Sequence, residues 1–259
     1  LGSSTILADP RLDRALDELS GAADRVWLIG VTIGLTLTLV AAYPFAHTPS
    51  GNFWAYVGLL IRGGMYLWSG DALRGKGGET LVTLLRVGIV AGLLEILIDW
   101  ALIHWLPTGQ LVYLTGNDVV LLGSPIWMPL AWACVIVELG YPALRGYGLL
   151  KNRWPRVRAA VVVSTIVAIQ AGVTIGFYEY FAYRADWWKY QPARVMLGDF
   201  CALYIPLGEV FMFLPVIPIM ARALVDTERR TAAAIESGAL FALAIAAGYG
   251  LAYVLLEVR

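Results

Sequence analysis

The chain has 259 residues, 59% hydrophobic and 15% charged, and its mean hydropathy is +0.70. Soluble domains are nearer half apolar and a quarter charged, so the composition excludes a water-soluble globular protein and predicts an all-α, polytopic membrane protein. Nineteen basic and nineteen acidic residues cancel, which excludes nucleic-acid binding driven by bulk positive charge.

The first residues, "LGSS", begin with Leu1 and are expected to be a cloning remnant; no cleavable signal is expected, because residues 1–24 are polar and mixed in charge. Leu12, Leu16 and Leu19 recur at helical spacing with Asp13, Asp17 and Glu18 between them, which predicts a short amphipathic helix ahead of a transmembrane domain over 25–259. A bilayer core asks for roughly 20 apolar residues per helix. Seven spans are predicted: 25–46, 53–70, 80–106, 124–146, 159–181, 199–222 and 235–256. The second is short and carries Arg62, Gly63 and Gly64, so a six-helix variant with 53–70 in the interface stays open. Cys134 and Cys201 lie in apolar runs and read as packed small side chains rather than a disulfide framework.

Lys and Arg in short loops set orientation. Loop 145–158 holds Arg145, Lys151, Arg153, Arg156 and Arg158, loop 222–234 holds Arg222, Arg229 and Arg230, and loop 71–79 holds Arg74 and Lys76. Loop 107–123 has none. The alternation predicts a cytoplasmic N-terminus, in a prokaryotic cytoplasmic membrane. Loop 182–198, with Arg184, Lys189 and Arg194, weakens the contrast without reversing it.

The stretch "LLEILIDW" puts Glu95 and Asp99 inside the third span. At 1.5 Å per residue, Arg62, Glu95, Gln170 and Glu209 fall about 14–16 Å below the outer ends of four different helices, near mid-bilayer. Asp99 lies one turn above Glu95 on the same face. Asp199 sits at the outer mouth of the sixth span, and Glu138 is deeper. The plainer reading lets each acid be satisfied by a hydroxyl or by Arg62, merely fixing helix packing. Ionisable groups at the bilayer centre cost roughly 2.5–3.5 kcal/mol each, so several at one depth imply an internal polar cavity. Glu95 and Glu209 against one Arg62 leave surplus negative charge, most simply removed if one carboxyl keeps its proton.

Most outer aromatics read as an interfacial belt. Any that face inward, such as Trp100 and Trp132, would line a cavity able to stabilise cations through ring faces. Only His47 and His104 are present, which excludes a His-rich di-iron desaturase. The last span has no lysine for a retinal Schiff base, and no Asp-rich metal motif supports ionisation of a prenyl diphosphate. Asp186 and Glu179 lie near Arg184, where a loop salt bridge is the economical expectation. No metal or cofactor is expected.

The run from Glu95 through Thr108-Gly109 and Tyr113 to "GSPIWMPLAW", with Gly123, Pro125, Pro129 and Trp132, resembles the integral-membrane carotenoid hydratases of the bisanhydrobacterioruberin type. More loosely, "ADWWKY", with Asp186, Trp187 and Trp188, is similar to an acid-plus-tryptophan region of that family. The chain departs from that family in lacking the Pro-Phe-Gly that usually follows Thr-Gly there. The seven-helix membrane terpene cyclases are similar in size, span count and use of buried carboxylates. These resemblances imply a proton-initiated cyclase or hydratase acting on a lipid-soluble polyprenyl substrate that enters from the membrane.

On this reading Glu95 and Glu209 are the acid–base pair, Asp99 and Asp199 tune or relay protons, and Arg62 adjusts their acidity. Trp100, Tyr113, Trp127, Trp132, Gln170, Tyr178 and Tyr204 join Arg62 in contacting substrate. The rivals are a proton-coupled transporter, favoured by a break at Gly63-Gly64, and a non-catalytic subunit of a membrane complex.

Overall fold

The computed structural model describes residues 3–48, 51–114, 118–226 and 229–258. Leu1 and Gly2 of the "LGSS" start, and parts of the predicted loops 107–123 and 222–234, lie outside them. Two short helices come first, α1 (Ser3–Leu7) and α2 (Pro10–Asp17). Asp9 caps α2 by accepting from the Arg11 backbone N–H, and Pro10, which has no N–H to lose, opens its first turn. The long helices are α3 (Gly21–Ala42), α4 (Gly51–Ala72), α5 (Gly78–His104), α6 (Met128–Leu150), α7 (Arg156–Arg184) and α10 (Arg230–Glu257). Between the last two lie α8 (Tyr204–Phe213) and α9 (Val216–Val225), bent by 46°. Pro215 at the break has no N–H to continue the ladder.

The chain is a helical membrane protein. Among the described residues, four helices, α3, α5, α7 and α10, are long and apolar enough to cross a bilayer, and the bent α8–α9 pair makes a fifth candidate. Their outer faces carry side chains such as Ile29, Leu97, Ile169 and Leu243, left uncovered by the protein as lipid contact requires. The predicted break at Gly63-Gly64 is corrected: α4 runs unbroken from Gly51 to Ala72. Its glycines serve packing and lipid contact instead, Gly63 facing Leu130 and Gly64 open space.

The strand-free expectation also needs amending. Among the described residues, six very short strands pair at one end of the bundle: β1 (Leu111–Tyr113) with β4 (Trp188–Tyr190), β2 (Val120–Leu121) with β3 (Ser124–Pro125), and β5 (Met196–Leu197) with β6 (Cys201–Ala202). The helices within the predicted fourth and sixth spans therefore begin later than predicted, at Met128 and Tyr204. Gly123 and Gly198, at φ 93° and 62°, supply the left-handed turns that fold their flanks into hairpins.

Helix α5 packs along α6 with almost no side chain between the backbones. A Cβ on Gly88 would lie 2.4 Å from Ala133 Cα, and one on Gly92 2.7 Å from Pro129 Cα. Gly88→Ala is expected to cost about 1–3 kcal/mol, because backbone must move to admit the methyl. Gly250→Ala, with nothing within 4 Å, is expected to be neutral or stabilising. Thermal unfolding in detergent compares the two; equal midpoints would reject the close contact.

At the opposite end, the basic loops meet the N-terminal helices. Lys151, nearly inaccessible, donates to Asp13 at 2.9 Å and Asp17 at 3.2 Å, and Arg156 donates to Asp13 at 2.9 Å and to the Leu7 carbonyl at 2.7 Å. Burial alone would push the Asp13 carboxyl up, but its hydrogen bonds and ion pairs to Lys151 and Arg156 outweigh that and hold it below its ordinary value of 3.8. Its stabilisation is complete above that value and is lost as pH falls through the lower folded-state pKa. Asp13→Asn is expected to lower the melting temperature at neutral pH, with the deficit fading once pH drops below 3.8. A deficit unchanged by acid would place the effect elsewhere.

Candidate functional site

Helix α5 presents Glu95 and Asp99 on one face, four residues and about one turn apart. That face looks into a cavity of about 140 Å³. Walls come from α3, α4, α6, α7, α8 and α10, and the cover from the paired strands β1 and β4.

The cavity has two polar regions. In one, Glu95 faces Asp99 and the Trp132 indole. Asp99 accepts hydrogen bonds from the Tyr113 hydroxyl at 2.5 Å and from Ser124. Glu209 accepts from Tyr249 at 2.8 Å, and Glu179 accepts from the Trp188 indole at 2.7 Å. All four carboxyl groups are at least 95% buried. The described residues give none of them an ion-pair partner, and they leave Glu95 Oε2 and Glu209 Oε2 without a hydrogen bond.

In the other region Arg62 pairs with Glu138 and donates from Nε to the Gly58 carbonyl at 3.2 Å. Gly34 makes room for it, since a Cβ there would lie 2.5 Å from a guanidinium nitrogen. The predicted service of Arg62 to Glu95 and Glu209 is thereby replaced. Glu138, read as merely deeper, is the residue that neutralises it, and the two regions have different charge: a compensated ion pair on α4 and α6, uncompensated acids on α5, α7 and α8.

Of the predicted site residues, Glu95, Asp99, Glu209, Arg62, Tyr113, Trp127, Trp132 and Tyr178 line the cavity. Gln170 does not: it is exposed, nine residues before Glu179 on α7, and nine residues turn a helix about two and a half times, to the opposite face. Trp100 follows Asp99 by about 100° of rotation and packs edge-to-face against His104 and Trp105 instead. Asp199 is exposed in the turn between β5 and β6. Tyr204 is buried but serves the cover, its hydroxyl donating to the Gly109 carbonyl at 2.9 Å.

Several lining residues lie outside the predicted site set. A loop salt bridge between Glu179 and Arg184 is the expectation from sequence, but α7 continues to Arg184 and turns Glu179 inward. Asp186 pairs with His47 at 2.9 Å, and Arg184 lies over the Tyr43 ring. Trp54, Trp187, Trp188, Tyr190 and Tyr249 also face the cavity. Tyr249 has a faint signal, a phenol flanked by Gly248 and Gly250 in an apolar span. Its ring fits because Gly208 opposite has no side chain.

The cover is fastened by two more acids. Glu257 accepts from Thr108 at 3.0 Å and from the Arg194 and Val195 backbone N–H groups at 2.7 and 3.2 Å. Asp118 accepts from Tyr56 at 2.6 Å and from the Trp127 indole at 3.0 Å. The arrangement can hold and pass protons in a space whose walls are aromatic, where ring faces stabilise positive charge. Among the described residues, no three His, Cys, Asp or Glu side chains are grouped to hold a metal ion.

No curated protein and no solved structure matches the chain. One family model does match it, over residues 96–256, which takes in Asp99, Glu138, Glu179, Glu209 and Tyr249 but begins after Glu95 and omits α3 and α4. The chain belongs to the family described as a domain of unknown function, DUF6989.

Proposed function

We propose that the protein is an integral-membrane isoprenoid-modifying enzyme, a proton-initiated terpene or carotenoid cyclase or hydratase. The observation that carries the reading is the set of buried acids, Glu95, Asp99, Glu179 and Glu209, facing one aromatic-walled cavity without basic partners. The proposal includes seven membrane passages, with α4, α6 and the bent α8–α9 pair joining the four long apolar helices. It also includes a cytoplasmic N-terminus in a prokaryotic cytoplasmic membrane. Clustering of Lys151, Arg156 and Arg145 with the N-terminal helices at one end supports that orientation.

In the proposed reaction Glu95, with Asp99 beside it, gives its proton to an alkene carbon, and the π pair forms the new C–H bond. The carbocation left behind lies among aromatic faces. Glu209, oriented by Tyr249, then takes a proton from a neighbouring carbon, leaving a new double bond, or from a water molecule that has added to the cation. Exclusion of water gives a cyclase and its capture a hydratase.

Membranes containing the protein are expected to convert a fed polyprenyl alkene to a product of equal mass, or of mass raised by one water, by mass spectrometry. Glu209→Gln membranes should yield none. Full yield from that variant would end the proposal. A proton-coupled carrier is the second reading, favoured by the broken α8–α9 helix close to Glu209. It predicts proton flux on substrate addition without any new product.

A further inference from the structure

We infer that the acidic region of the cavity binds a lipophilic ammonium ion in exchange for a proton. The inference goes beyond the enzymatic reading, since it rests on the site's charge and shape and not on turnover. It starts from the charge count. Glu138 already compensates Arg62, so that cation is not available to the acids across the cavity. Asp99 is served by two neutral hydroxyls, Glu209 by a phenol and Glu179 by an indole, none of which brings positive charge.

The unpaired oxygens are the second observation. Glu95 Oε2 and Glu209 Oε2 are acceptors on side chains at least 98% buried, both on cavity-lining residues and both without a hydrogen bond among the described residues. A buried acceptor without a donor costs about 1–3 kcal/mol, so a ligand N–H placed there regains a full hydrogen bond. The walls are the third. Trp132, Trp187 and Trp188 present rings to the same space, and indole faces are the strongest neutral partners for an organic cation. Few polar atoms interrupt the rest of the lining, which suits an alkyl or polyprenyl body.

Exchange follows from electroneutrality. Several uncompensated carboxylates cannot share a dry cavity at tolerable cost, so protons neutralise them. When an ammonium arrives, one carboxylic acid of the Glu95, Asp99 and Glu209 group releases its proton to water, and the site's total charge does not change. Other titratable groups around these three are Glu179 and Tyr178 from α7, Tyr249 from α10, Cys201 from β6, and Tyr113 and Tyr190 from the cover, with the Arg62–Glu138 pair in the same lining. None of these supplies an uncompensated positive charge that would compete with the ligand.

The test uses the full chain in phosphatidylcholine vesicles, with N,N-dimethyldodecylamine as probe and dodecanol as its uncharged match. Binding is read from tryptophan emission, and proton release from a pH dye in weak buffer. The amine is expected to bind saturably, at least about tenfold more tightly than dodecanol, with one proton released per amine bound. Its affinity should rise about tenfold per pH unit while the amine stays charged, the slope for one exchanged proton. Glu209→Gln should weaken binding about tenfold, whereas Asp71→Asn, on the exposed end of α4, should not.

Equal affinity for amine and dodecanol, or an affinity of the unaltered protein that ignores pH, would overturn the inference, whatever the folding of the variant. Product formation without amine binding would reject this inference and leave the enzymatic proposal standing. Amine binding with no product from any polyprenyl alkene would do the reverse.

Discussion

Replacing Arg62 by Met is expected to destabilise the protein by about 3–5 kcal/mol, the usual cost of stranding one member of a buried ion pair. The charge left behind is Glu138, whose side chain is 11% exposed. The double variant Arg62→Met/Glu138→Gln should recover most of that loss, because it leaves no uncompensated charge. Combining Arg62→Met with Glu95→Gln should recover none. The contrast separates two wirings of the cavity. If Arg62 neutralised the α5 acid, as depth alone suggested, Glu95→Gln would be the rescuing change. Unfolding in detergent, followed by circular dichroism, measures all four proteins. A rescue by Glu95→Gln would show that the two polar regions are not electrically separate.

The second large effect concerns the acid pair on α5. Under the proposed reaction, Glu95→Gln and Asp99→Asn are each expected to lower product yield by about 10²–10⁴, the range for loss of a positioned acid or base. The double variant should be scarcely worse than either single one, since two groups handling one proton act as a unit. Tyr113→Phe removes one of two donors to Asp99 and leaves Ser124, so about tenfold is expected there. Mass-spectrometric product yields at matched protein levels decide it. Additive losses from Glu95 and Asp99 would mean that the residues do separate jobs.

Both predictions depend on which face each helix turns inward, and here sequence and structure contribute unequally. The chain's apolar excess and the spacing of Glu95 and Asp99 are local facts. A lipid-facing helix must be apolar and must close its own hydrogen bonds, so composition alone determined a helical membrane protein. The rise per residue placed Arg62, Glu95 and Glu209 at one level, and they do share a cavity.

Depth, however, is one coordinate, and a side chain on a helix also has an azimuth. Gln170 matched the level and faces outward, while Glu179 was set aside and faces inward. In α7, with an apolar surface on almost every side, no amphipathic stripe marks which face is which. Pairing was equally out of reach, because Arg62 and Glu138 are 76 residues apart and meet only once α4 packs near α6. The cover was missed for a related reason: two- and three-residue strands carry no readable alternation, and β1 finds β4 across 75 residues or more. The sequence by itself determined the solvent, the helices and the acids of α5. Only the tertiary structure decided which acids gather, which one compensates Arg62, and what closes the cavity, because those are contacts between segments that the local pattern leaves free to rotate.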